Sequence, residues 1–182
     1  MSLSAEERAQ LVSLARQAVE AEVRGQPAPR VEHPTGVLCE RRGCFVTLTN
    51  RRRLRGCIGT FHPHLPLGEQ VVEMGSAAAR DPRFVFDAVT PTELPQLKIE
   101  VSVLSPLAET NEPEKLRIGV DGIYVVSGGW SGCFLPEVAT DMGWDAETFL
   151  SECCAGKAGL PRDAWKNPGA KVYLFTSEKF DH

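Results

Sequence analysis

Cys44-Phe45-Val46-Thr47-Leu48-Thr49-Asn50-Arg51-Arg52-Arg53-Leu54-Arg55-Gly56-Cys57-Ile58-Gly59-Thr60-Phe61 is the stretch on which the architecture turns. In its first seven residues Cys44, Val46 and Leu48 alternate with Phe45, Thr47 and Thr49. A period of two is the mark of a strand with one buried face. Asn50 to Arg53 is polar and reads as a turn, and 54–61 is a second strand. Regular alternation puts Leu54, Gly56 and Ile58 on the core face and Arg55, Cys57 and Gly59 on the opposite one. With 37–40 taken as a preceding strand, the three form an antiparallel meander.

Working outward, Ser4 and Glu7 have capping-box spacing ahead of Leu11, Leu14, Ala15, Ala18 and Val19, which repeat at helical intervals until Gly25. Residues 67–80 read as a helix with Leu67, Val71, Met74 and Ala78 on its buried side. Asp81-Pro82 ends it, because a residue before proline disfavours helical geometry. Residues 97–105 form a strand with Leu97, Ile99, Val101 and Val103 inward and Lys98, Glu100, Ser102 and Leu104 on the other side. Pro113 marks the entry to a smaller lobe, in which Gly128-Gly129 joins strands 122–127 and 130–135 as a hairpin. Asp145 caps a short helix, Gly159 closes it, and 171–175 is the last strand. The expected class is α+β and two-lobed, with a mainly antiparallel sheet and packed helices in the larger lobe. That lobe is expected to span roughly 1–110 plus the C-terminal strand, and the smaller one roughly 111–165, with a hairpin.

The 182 residues carry a formal net charge of −4, so no protein-wide basic field exists to hold nucleic acid. The start of the chain has no basic segment followed by an apolar run, and no run spans a bilayer. A cytoplasmic protein without membrane contact, its six cysteines reduced, is the expectation. Nucleotide-binding glycine loops, serine-hydrolase elbows and zinc-protease helices do not occur, and no motif names a cofactor.

Arg55 and Cys57, two residues apart on one strand face, are the first chemical candidates, since a neighbouring guanidinium favours thiolate. The plainer alternative is a small, inert, buried cysteine. Gly56 and Gly59 weaken the strand and call for close approach of a ligand or of another backbone. Asp81 and Arg83, at a helix exit, fold back on this strand or simply lock a turn. Glu100, with Ser102 on the same face, is a candidate general base if its strand neighbours Cys57. His62 and His64 follow Cys57, but their spacing matches no zinc pattern, so no metal site is expected. Arg51, Arg52 and Arg53 are suited to phosphate or an acidic partner, or form a solvated turn.

Leu54-Arg55-Gly56-Cys57-Ile58-Gly59 resembles the signature of the AMMECR family. The likeness continues through Phe45-Val46-Thr47-Leu48, Asp81-Pro82-Arg83-Phe84, Glu93-Leu94, Ile99-Glu100-Val101-Ser102-Val103-Leu104, Leu135-Pro136-Glu137-Val138-Ala139, Gly143-Trp144-Asp145, Phe149-Leu150 and Lys157-Ala158-Gly159-Leu160. Phe134, where many relatives carry leucine, looks like a core exchange. The resemblance implies a two-lobed α+β protein with the signature in the larger lobe. It implies no settled reaction, only association with Memo-like and radical-SAM-like proteins and a link to nucleobase or RNA modification. Three functions follow as expectations. The first is an enzyme using Cys57, with Arg55 and Arg83 holding a small anionic substrate and with Asp81 and Glu100 as acid–base groups. Gly56, Gly59, Ser102 and His62 would then line the ligand. The second is a module binding RNA or phosphate through Arg51, Arg52, Arg53 and Arg55. The third is a non-catalytic adaptor.

Overall fold

The computed structural model describes residues 2–181. They divide into two compact units. One comprises the residues up to Leu104 together with those from Glu178 on, and the other runs from Ser105 to Ser177. The division expected near residue 110 thus lies at 104/105.

The first unit opens with α1 (Ala5–Val23). The Ser4 side chain accepts from the Glu7 N–H, and the Glu7 carboxylate accepts from the Ser4 N–H, so the capping box forms in both directions. Such a cap contributes about 1 kcal/mol. Leu11, Ala15, Ala18 and Val19 are fully buried. The segment expected as a strand at 37–40 is instead a 3₁₀ turn, Gly36–Cys39. It has a short apolar run but no alternation, and Val37 and Leu38 both pack into the core.

Strands β1 (Cys44–Asn50) and β2 (Arg53–Thr60) form an antiparallel hairpin. The helix α2 (Leu67–Ala79) follows, then β3 (Lys98–Leu104). β1 pairs with β3 on its other side, so the third member of the sheet comes from later in the chain, not from 37–40. The order is β2-β1-β3-β8, so a strand β8 (Ser177–Asp181) follows 171–175, the segment expected to be the last strand. Cys44, Val46, Leu48, Ile99, Val101 and Val103 meet Leu11, Ala15, Leu67, Val71 and Ala78 in one core.

The second unit has its own sheet, ordered β4-β7-β5-β6, and not a hairpin alone. β5 (Gly122–Ser127) and β6 (Trp130–Phe134) are the expected hairpin, with Gly128 and Gly129 both at positive φ. β7 (Lys171–Phe175) sits between β5 and β4 (Ala108–Thr110), so the strand assigned to the larger lobe belongs here. The helices α3 (Pro136–Met142) and α4 (Ala146–Glu152) follow the hairpin, and Asp145 caps the second by accepting from Thr148 N–H. Phe134 stacks on Phe149 at 5.6 Å and tilts against Trp144 at 5.8 Å, which explains an aromatic at that position. A π-helical segment, Cys153–Ala158, extends α4 where an ordinary helix exit was expected. All six cysteines are free.

Candidate functional site

The hairpin turn shapes the site. Asn50 pairs with Arg53, leaving Arg51 and Arg52 as a two-residue loop. Both have positive φ, 49° and 68°. A two-residue loop that matches strand twist needs this backbone and normally recruits asparagine or glycine. Two arginines there are strained by roughly 1 kcal/mol or more each, and such strain points towards function.

One position further in, the pairing slips. Leu48 lies opposite Gly56 and Thr49 opposite Leu54, so Arg55 is the extra residue of a β-bulge. The bulge breaks the alternation on which the sequence reading relied. Leu54, expected inward, is 37% exposed, while Arg55, expected on an open face, is only 3% exposed. The Arg55 guanidinium turns to the loop before β3. Its Nε donates to Glu93 Oε1 at 2.9 Å and its Nη2 to Glu93 Oε2 at 3.0 Å. Its Nη1 reaches Asp87 Oδ2 at 3.1 Å, and Nη2 also reaches the Ala88 carbonyl. A buried arginine needs this kind of bidentate match. The Arg55 fork holds the Glu93 carboxyl down to about 2 against the opposing effect of burial, with help from the Thr90 N–H and the Asn50 amide. Arg55 is itself raised above its ordinary value, chiefly by Glu93. It is therefore engaged away from the Cys57 thiol.

A second knot ties α2 to β2. Asp81, 2% exposed, accepts from the Cys57 backbone N–H at 3.0 Å, from the Arg83 N–H at 3.0 Å and from the Arg83 guanidinium, Nη2 to Oδ2 at 2.6 Å. Arg83 Nη2 also donates to the Cys57 carbonyl at 3.1 Å. Asp81 and Arg83 do fold back on the signature strand, but they grip its backbone. Arg83 holds the Asp81 carboxyl at about 2, again against burial.

The side chain of Cys57 is half-buried, with Sγ 3.2 Å from Thr47 Oγ1. The register aligns Cys57, Thr47 and Glu100 in one row across β2, β1 and β3. Glu100 sits two strands from the thiol, and its Oε1 is 3.3 Å from Lys179 Nζ. Ser102 is buried in the next row, with Phe45 and Gly59. Protein fills the space at both glycines. A β carbon on Gly56 would lie 2.1 Å from the Ala78 carbonyl oxygen, and one on Gly59 would lie 2.3 Å from the Phe45 ring. The glycines admit a neighbouring backbone and a ring, so the space expected for a ligand is occupied. His62 is exposed beyond the strand, in a turn closed by Thr60 Oγ1. Among the described residues no group of three or more His, Cys, Asp or Glu is placed to hold a metal ion.

An open concavity lies at the turn. Asn50, Arg51, Arg53, Arg55, Asp87, Glu93 and Gln96 line a hollow of about 490 Å³. Arg53 pairs with Asp87, and Arg55 with both carboxylates. Three guanidiniums face two carboxylates, so the lining carries one net positive charge. Arg51 makes no ion pair among the described residues. Asn50 Oδ1 is buried with no hydrogen-bond partner among them. Sequence reasoning reached the arginines, met Glu93 only within the family resemblance and gave it no role, and missed Asn50, Asp87 and Gln96. One signal was available. Thr90-Pro91-Thr92-Glu93 has capping-box spacing, and the Thr90 N–H does donate to Glu93 Oε2 at 3.1 Å.

Fold and site together define a two-unit α+β protein with a bulged β-hairpin that presents arginines to an open hollow. The chain belongs to the AMMECR1 family, whose profile matches residues 12–180. It is 43% identical to a protein of Methanothermobacter thermautotrophicus over 186 aligned positions, covering 98% of this chain and 95% of that one. It is 45% identical to protein TK0174 of Thermococcus kodakarensis, covering 94% and 88%. The crystal structure of the uncharacterised protein PH0010 from Pyrococcus horikoshii superposes with a TM-score of 0.85 at 40% identity, covering 94% of this chain and 89% of that one. No helix among the described residues is long and apolar enough to cross a membrane.

Proposed function

We propose that the chain is an anion-binding protein whose ligand places a phosphate-like group in the hollow at the β1–β2 turn. One observation carries this reading. Arg51 is fixed on a strained turn at the edge of the hollow, whose carboxylates are already matched by Arg53 and Arg55. An unmatched guanidinium beside an open space suits a phosphate oxygen. Titration with inorganic phosphate, followed through the backbone amide NMR signals of the turn, tests it. Saturable shifts at Asn50 to Arg53 are expected, and they should be lost in Arg51→Ala. Signals that stay unmoved at millimolar phosphate count against the reading.

A second reading, a chemically active Cys57, is favoured by the Thr47 hydroxyl 3.2 Å from its sulfur and by the Arg83 guanidinium on its backbone carbonyl. Arg83 reaches the Cys57 carbonyl while Arg55 is turned to Glu93 and Asp87, and Glu100 is separated from the thiol by Thr47. Iodoacetamide should then label Cys57 faster than the exposed Cys39, as mapped by peptide mass spectrometry. Slower labelling of Cys57 removes this reading.

A further inference from the structure

Beside the hollow stands an aromatic that no other feature explains. Phe86 is fully exposed, at 102%, and its neighbour Val85 is 66% exposed. An isolated exposed apolar residue is ordinary, but this one stands on a hydrogen-bonded turn. The Phe84 N–H donates to the Asp81 carbonyl and the Asp87 N–H to the Phe84 carbonyl, both at 2.9 Å. Arg83 grips the Asp81 carboxylate on one side, and Arg53 and Arg55 grip Asp87 on the other. Displaying a ring on a turn pinned at both ends lowers the entropy lost on binding. The next residue, Asp87, lines the hollow.

We propose that Phe86 is the stacking platform for a base of single-stranded RNA whose neighbouring phosphate occupies the arginine hollow. This rests on the hollow being an anion site and names its ligand class. The surroundings are cationic: the side chains of Arg53 and Arg83 are 69% and 57% exposed, and Arg51 and Arg52 stand on the adjoining turn. An aromatic face beside arginines that track phosphates is how single strands are held without sequence readout. An acidic protein segment would satisfy the same cations. Phe86 distinguishes the two, because its fully exposed ring offers a flat face on which a base stacks, and an aspartate or glutamate side chain has no such face to lay against it.

The experiment uses the full chain and fluorescently labelled decauridylate, followed by anisotropy at low and high salt. Uridine monophosphate and a glutamate-rich decapeptide serve as competitors. Decauridylate should bind, release as salt rises, and resist the peptide. Phe86→Ala should weaken it by about tenfold, the usual loss for one stacked base, with the phosphate-induced shifts of the turn retained. Uridine monophosphate should compete weakly if a strand is the ligand; competition at matching concentration assigns a free nucleotide and overturns the strand. No binding of decauridylate, unchanged binding by Phe86→Ala, or displacement by the peptide alone overturns the proposal, the last assigning the surface to an acidic protein. If phosphate still shifts the turn while RNA does not bind, only the stacking proposal falls. If phosphate fails as well, the hollow reading falls with it.

Discussion

A β carbon at Gly56 has nowhere to go, because the carbonyl oxygen of Ala78 at the end of α2 already occupies its place. The contact sets how closely the helix lies on the bulged strand, and the knot of Asp81, Arg83 and Cys57 backbone is built one residue away. Gly56→Ala must therefore push α2 off β2 and stretch that knot. Overpacking of this kind is destabilising by about 3 kcal/mol, and the expected lowering of the urea midpoint checks it. A variant with wild-type stability would show that α2 shifts freely and that the glycine has another purpose. Arg55 illustrates a different rule at the same scale. A guanidinium that is 3% exposed is stable only where carboxylates meet it, so Glu93 and Asp87 are as much part of the signature as the arginine itself.

At the scale of elements, the β1–β2 turn trades stability for a presented charge. Asparagine and glycine adopt positive φ readily, and arginine does not. The double variant Arg51→Asn, Arg52→Gly keeps the loop length and should keep the turn. It is expected to raise stability by about 1 kcal/mol while weakening phosphate binding at the hollow. Thermal unfolding and the phosphate titration measure the two effects separately. A variant that is more stable and binds phosphate unchanged would locate the anion elsewhere. The bulge belongs to the same element. It turns Arg55 out of the regular alternation and into the loop, so the hairpin delivers Arg51, Arg53 and Arg55 to one lining although they differ in exposure.

Across the whole molecule, two carboxylates link folding to pH. Asp81 and Glu93 titrate near 2 in the folded chain, below their ordinary values, because Arg83 and Arg55 respectively hold them charged. A depressed folded pKa contributes stability at pH values above the unfolded pKa. That contribution is lost as pH falls from about 4 towards 2, and it amounts to at most about 3 kcal/mol for each group. Guanidinium denaturation at a series of acid pH values should show this loss. In Glu93→Gln the slope should be shallower and the starting stability lower, since Arg55 is left buried without its charged partner. A slope identical to the parent's would mean that Glu93 does not titrate near 2.

Much of the architecture was legible in local pattern. The period of two in β1, the helical stripe of α1, the capping box at Ser4 and Glu7, the paired glycines of the β5–β6 turn and the cap at Asp145 are all short-range signals that appear where expected. Segments without a strong local signal misled: 37–40 became a 3₁₀ turn packed under the core, and the polar β8 became a strand because β3 offered it an edge. At the site, the sequence identified the residue types, the strand and the family. Only tertiary structure decided their assignments. A one-residue bulge reverses which side chains face water, and partners brought from 32 to 38 residues away determine where the Arg53 and Arg55 guanidiniums point. Periodicity in a chain records the path of the backbone, whereas the pairing of a buried charge depends on which distant carboxylate the fold brings to it.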